Sequence, residues 1–311
     1  MTSQPKLCTG AGARGRMSTV TYRAGVILVC VAGLCWSAMG LTVRLIGDAG
    51  TWQILFYRSL GMAPVLLAYI TWRTRGHPLR AVRGLGLAGI FGGLSLVFAF
   101  AGGIYAFQTT TIANAAFLFA AAPLITAVLG WIVLREPVRH ATWIAIAIAL
   151  LGIVLMVRSG LSSGAFLGNL AALASAFGFA GFTISLRWGR LSNMLPAVML
   201  GGIMSVLVAA SVVWASGEAF AVAPRDAALA MGMGVILLGG GMVAYTIGSR
   251  TLSAVDLSLL SMVEVVFAPI WVWLVLAEVP GPGSLLGGAV LMSALVFNAL
   301  SGIRHRPAKV I

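Results

Sequence analysis

Of 311 residues, 60% are hydrophobic and only 9% are charged, against about 25% charged in a typical soluble domain. That balance excludes a water-soluble globule and leaves a chain that crosses a membrane many times. The net charge of +13 does not argue for a nucleic-acid partner, because the basic residues sit between apolar runs and read as topology signals.

Residues 1–23 are polar and basic, with no apolar run ahead of the first span. They read as a cytoplasmic tail without a cleaved signal peptide, with Met17 as an alternative start. Ten apolar runs follow, at 24–43, 52–72, 84–105, 113–134, 141–157, 165–186, 194–215, 228–248, 255–277 and 284–303. Each is near the about 20 residues that a helix needs to cross a hydrocarbon core of about 30 Å. Residues 304–311 make a second short tail. With the N-terminus in the cytoplasm, sixteen of the 20 basic residues fall on the cytoplasmic side. Arg44, Arg158 and Arg225 fall on the other side, and Arg58 lies within the second span. This is a strong positive-inside bias.

Two of the runs are copies of each other. NAAFLFAAAPLITAVLGWIVLREP (114–137) and DLSLLSMVEVVFAPIWVWLVLAEVP (256–280) coincide at an offset of 142, with Asn114 on Asp256, Phe117 on Leu259, Trp131 on Trp273 and Glu136 on Glu278. Gly40 and Thr42 fall loosely on Gly181 and Thr183 at an offset of 141. The chain is an internal duplication, and five spans per half make the second half enter the membrane from the opposite side. The expected fold is an all-α membrane protein of ten transmembrane helices in two inverted five-helix repeats, 24–158 and 159–303. Inverted repeats are a common plan of secondary transporters, whose halves rock around a midplane site.

The third span of each half is rich in glycine: Gly84, Gly86, Gly89, Gly92, Gly93, Gly102 and Gly103 in one, Gly232, Gly234, Gly239, Gly240, Gly241 and Gly248 in the other. Such spans line a transport path or allow close helix packing, for which Gly89/Gly93 and Gly283/Gly287 have the right spacing.

Little points to covalent chemistry. His77, His140 and His305 read as loop residues, and Cys30 and Cys35 as packing residues five apart in one helix. Residues 84–89, GLGLAG, match a dinucleotide fingerprint but open a membrane span rather than follow a strand. No cofactor, metal site or catalytic set is expected, and the chain is not expected to be an enzyme. Thr111 with Asn114, and Ser253 with Asp256, have the spacing of helix caps, with substrate contact as the other reading. A charge inside a span is costly, so Arg58 is a structural anchor, a gating or substrate residue, or a side chain snorkelling outward. Glu264 lies about nine residues into the ninth span, about 14 Å deep. It receives a substrate ammonium, carries a proton, or hydrogen-bonds backbone loosened by Pro269, and Ser261 is in reach on the same helical face.

TTTIANAAFLFAAAPLITAVLGWIVLREPVRHATWIAIAIALLGIVLM, RTLSAVDLSLLSMVEVVFAPIWVWLVLAEVPGPGSLLGGAV, GLCWSAMGLTVRL and FYRSL resemble the drug/metabolite transporter superfamily in its ten-helix EamA branch. The resemblance implies a central cavity lined by the first, third and fourth helices of each repeat. It implies export of amino acids or similar small metabolites across a bacterial inner membrane, with both termini cytoplasmic. Candidate cavity residues are Trp36, Gly102, Tyr105, Asn114, Phe177, Phe179, Tyr245, Ser261, Glu264 and Trp271. The expected partners are a small-molecule substrate and the lipid bilayer, without nucleic acid, for a chain working as a monomer. The alternative is a membrane receptor or assembly subunit without transport activity. One departure stands out: second repeats of this family often carry Glu-Pro in the fourth helix, whereas here Val265 follows Glu264 and the proline comes at Pro269, so any kink is expected to be displaced.

Overall fold

A computed structural model describes residues 21–303 except 163, 192 and 261. Its described elements are all helical. In the first half they are α1 (Tyr22–Leu45), α2 (Thr51–Arg73), the short α3 (Pro78–Arg83), α4 (Gly86–Thr109), α5 (Ile112–Phe119), α6 (Ala122–Leu134) and α7 (His140–Ser162). The second half contains α8 (Phe166–Trp188), α9 (Leu195–Ser216), α10 (Pro224–Gly232), α11 (Gly241–Gly248), α12 (Ala254–Leu260), α13 (Met262–Leu276) and α14 (Pro282–Ile303). Among the described residues nine helical stretches are long and apolar enough to cross a membrane, with α5 and α6 forming one of them. The tenth span comprises α12 and α13. His140 opens α7 rather than lying in a loop, and His305 lies outside the described residues.

Local chemistry sets the starts and breaks. Thr21 and Thr111 accept hydrogen bonds from the amides of Ala24 and Asn114. Ser253 and Asp256 cap each other's amides reciprocally. Both predicted cap pairs therefore are caps. Proline stands in the first turn of α9, α10 and α14, where its missing N–H leaves nothing unpaired. Span 4 turns at Ala120 and Ala121, just before Pro123 in the first turn of α6, because Pro123 cannot donate to the preceding turn. α13 instead runs through Pro269 without interruption, so the expected kink there is not a break in the helix.

Span 8 holds a feature that glycine counting missed. Between α10 and α11 the chain forms a π-helix over Met233–Gly240. The wider coil brings Gly234 so close to the carbonyl of Arg58 that a methyl group there would overlap it. Such stretches are rare and concentrate at functional positions.

The packing maps onto itself when the two halves are exchanged. α4 lies against α8, as α1 lies against α11 and the π-helix; α4 lies against α9, as α2 lies against the π-helix and α10. α5 and α6 lie against α8, as α12 and α13 lie against α1. The pairs α2/α9, α7/α14 and α5/α13 join equivalent spans across the dyad. Two helical bundles result: α4, α5, α6 and α8 in one, and α1, α11, α12 and α13 with the π-helix in the other.

Helices α7 and α14 meet glycine to glycine. A methyl group on Gly152 would lie 2.6 Å from the Gly287 carbonyl, and one on Gly287 would lie 2.7 Å from that of Gly152. Neither backbone can yield, so Gly152→Val and Gly287→Val are each expected to cost about 1–3 kcal/mol. The measurement is the melting temperature in detergent; an unchanged value for both would show a loose interface.

Candidate functional site

Four of the predicted cavity residues come together around α1. Trp36 packs its ring 5.4 Å from that of Tyr245 on α11, with Gly241 clearing space beneath its indole. Trp271 on α13 donates from Nε1 to Ser37 Oγ at 2.8 Å. Glu264, in the first turn of α13, lies beside Gly33, where a methyl group would stand 3.6 Å from the Glu264 amide. The Glu264 side chain is half-buried, and no hydrogen bond or ion pair holds it among the described residues. Nε1 of Trp36 and Oγ1 of the neighbouring Thr246 are buried without a partner. This is a mainly aromatic cluster with a few uncommitted polar atoms, the kind of side chains that small-molecule sites use.

The other candidates are placed elsewhere. Phe179 on α8 meets Phe100 of α4 edge-on at 6.0 Å. Phe177 is half-exposed, and Tyr105 lies on the exposed stripe of α4 that runs through Leu87, Phe91, Leu94 and Phe98. Gly102 does not face open space: a methyl group there would press on the Ala171 carbonyl at 3.0 Å, so it serves the α4/α8 contact. Asn114 is buried in a polar knot rather than a cavity, donating to Thr110 Oγ1 and to Asn169 Oδ1, which also accepts from Thr110. Ser261 lies outside the described residues.

Arg58 does not snorkel: it is 2% exposed. Its guanidinium carbon sits 4.3 Å from the centroid of the Phe100 ring, and its Nε and Nη2 have no hydrogen-bond partner. None of the chain's 7 acids comes within 4.0 Å of it. A desolvated cation–π contact is worth about 2 kcal/mol, whereas burying a charge costs several kcal/mol. The ring alone does not balance the charge. Sequence reasoning found Arg58 but not Phe100, because the two meet only through the packing of α2 on α4.

Sequence reasoning also left unread the two ends of the bundle. Arg44 Nε lies 3.4 Å from Glu278 Oε2, while Arg44 Nη2 donates to the Thr110 carbonyl at 2.6 Å and Ile112 N–H donates to Glu278 Oε1 at 2.8 Å. Beneath this network Ile112 and Ala116 of α5 pack with Val265, Ala268 and Val272 of α13 into an apolar plug. At the opposite end Arg187 Nη2 meets Glu136 Oε2 at 2.5 Å. A shallow cavity of about 460 Å³ lies there, bounded by Trp131, Ile132, Arg135, Glu136 and Pro137.

Comparison with known proteins agrees with this architecture. Residues 23–158 match the EamA-like transporter family. The chain is 26% identical over 280 residues to the pseudopaline exporter CntI of Pseudomonas aeruginosa (strain UCBPP-PA14), covering 88% of this chain and 95% of that one. It is 26% identical over 138 residues to solute carrier family 35 member G1 of Mus musculus, covering 43% of this chain and 36% of that one. A protein of known crystal structure superposes with a TM-score of 0.64 over 91% of this chain and 100% of its own, at 15% identity, which shows the shared fold alone. The first half of this chain thus matches the EamA-like transporter family, and the chain resembles transporters of the drug/metabolite superfamily.

Proposed function

We propose that this transporter exports a small zwitterionic metabolite, an amino acid or a molecule with the same pair of charges, by alternating access between its two inverted halves. The observation that carries the reading is the pair of uncommitted opposite charges inside the helices, Arg58 and Glu264. Among the described residues neither has an ion-pair partner, and Arg58 Nε and Nη2 and the Glu264 carboxylate have no hydrogen-bond partner; a solute bearing a carboxylate and an ammonium supplies both. A phosphorylated solute would call for clustered Lys or Arg, and Arg58 stands alone. The aromatic surroundings of Trp36, Tyr245 and Trp271 suit an apolar side chain. The relative named as a pseudopaline exporter supports outward transport.

The positive-inside bias supports an orientation with the Glu278 end outside and both termini in the cytoplasm, which suits a bacterial inner membrane. The apolar plug then closes the outer end, and the solute enters from the cytoplasm. Reporter fusions after Arg139 and after Glu278 are expected on opposite sides, and finding both on one side would sink this orientation. The deciding experiment is uptake of the twenty labelled amino acids into proteoliposomes, with and without a pH gradient. Movement of at least one, above empty liposomes, is expected; movement of none would remove the amino-acid reading.

A further inference from the structure

We infer that the two Arg–Glu pairs are alternating backbone clamps: each holds the loop of the opposite bundle when its own end of the transporter is closed, and releases it when that end opens. The inference rests on alternating access between the halves.

Arg44 and Glu278 belong to the same bundle, at the ends of α1 and α13. Their pairing therefore does not by itself close anything. What crosses between bundles is the use each makes of its remaining atoms. Arg44 Nη2 holds the carbonyl of Thr110, and Glu278 Oε1 holds the amide of Ile112, so the pair grips both polar faces of the short link between α4 and α5. This end is shut.

Arg187 and Glu136 stand in the same relation within the other bundle, at the ends of α8 and α6. The 142-residue offset takes Thr110 to Leu252 and Ile112 to Ala254, in the link that precedes α12. Those are the carbonyl and amide that Arg187 and Glu136 would hold. No bond from Arg187 to the Leu252 carbonyl is found among the described residues, and the pair is correspondingly more open, with side chains 48% and 39% exposed against 27% and 23% for Arg44 and Glu278. Arg187 lies two residues beyond the position that the first-span offset of 141 assigns to Arg44, so its equivalence comes from its partner, Glu136, and not from alignment. α5 packs on α13 at the closed end, whereas extensive packing of α6 on α12 is not found among the described residues.

The two ends also differ in what else closes them. Ile112, Ala116, Val265, Ala268 and Val272 make the outer plug. The same offset converts these into Ala254, Ser258, Pro123, Thr126 and Gly130, which are small or polar. The cytoplasmic end has little apolar surface to bury on closing, so its closure depends on the Arg187–Glu136 clamp more heavily than outer closure depends on its own.

The test is read without any solute. Cys8, Cys30 and Cys35 are replaced by serine, and Ala268→Cys, within the outer plug, reports opening to an impermeant thiol reagent added outside proteoliposomes. Glu278→Gln is expected to raise the labelling rate about tenfold by removing the charge that pairs with Arg44 and strengthens the Ile112 hydrogen bond, and Glu136→Gln to lower it by a similar factor, because the outward-open state loses its cytoplasmic clamp. A second reporter, the Thr126→Cys/Ser258→Cys pair, is expected to cross-link faster in Glu278→Gln and more slowly in Glu136→Gln. If Glu278→Gln does not fold, Arg44→Gln, which releases the Thr110 carbonyl, makes the same prediction. Shifts in the same direction for the two glutamates, or no shift in either reporter, would overturn the clamps. A labelling result as expected beside a silent amino-acid panel would leave the clamps standing and remove only the substrate assignment.

Discussion

Replacing Arg58 with Gln is expected to lower amino-acid transport about a hundredfold and to erase the preference for an amino acid over the corresponding amine. Hydrogen bonds to a charged group are each worth about 1.5–3 kcal/mol, and tenfold corresponds to about 1.4 kcal/mol. Losing a two-point hold on a carboxylate therefore reaches about two decades. Arg58→Lys keeps the charge but not the planar fork, and an intermediate loss of about tenfold is expected. The comparison of L-phenylalanine with 2-phenylethylamine isolates the carboxylate, since both present the same ring and ammonium to the Trp36–Tyr245 region. Stability separates this from an anchoring role. Removing a buried charge that no acid neutralises is neutral or stabilising, so the melting temperature of Arg58→Gln should not fall. A marked fall, with the remaining transport still selective for the carboxylate, would make Arg58 an anchor.

Glu264→Gln is expected to reduce amino-acid transport about tenfold while leaving the fold intact. The substitution keeps shape and hydrogen bonding and removes both the negative charge and the proton site. Glu264 has no intramolecular bond to lose among the described residues, so its replacement costs little packing or capping. If Glu264 receives the substrate ammonium, the loss is present at every pH and is larger for the zwitterion than for the corresponding acid without its amine. If it carries a coupled proton, uptake in the variant no longer responds to an imposed pH gradient between about pH 5.5 and 8. Wild-type rates across that range would remove both roles.

Much of the architecture was readable from the chain itself. The duplication showed because the fourth and ninth spans share Trp131/Trp273 and Glu136/Glu278 at a constant offset. The cap pairs showed because a Ser or Thr three residues before a polar residue can satisfy free amides in only one local geometry. Glu264 was placed about nine residues into its span by counting, and it stands in the first turn of α13. Arg58 was flagged by cost alone, since a cation within a span needs a reason.

What the tertiary structure decided is which side of each helix faces what. In a soluble protein the apolar stripe points to the core, and the partner face can be read from its period. In a membrane both lipid and protein neighbours accept apolar side chains, so that period carries little information. This is why Gly102 and Asn114 read as cavity residues and proved to be an α8 contact and a member of a buried polar knot. It is also why Phe100 under Arg58 and Ser37 against Trp271 could not be paired in advance. The clamp atoms were hidden for a related reason. The Thr110 carbonyl and the Ile112 amide are backbone groups that any residue carries, and only the approach of α1 and α13 to that link selected them. The chain by itself determined ten apolar spans, the repeat that relates its halves and the charges within the spans; the packing of two nearly equivalent bundles determined which backbone groups Arg44 and Glu278 hold, because a symmetric sequence pattern cannot state which of two related contacts is made.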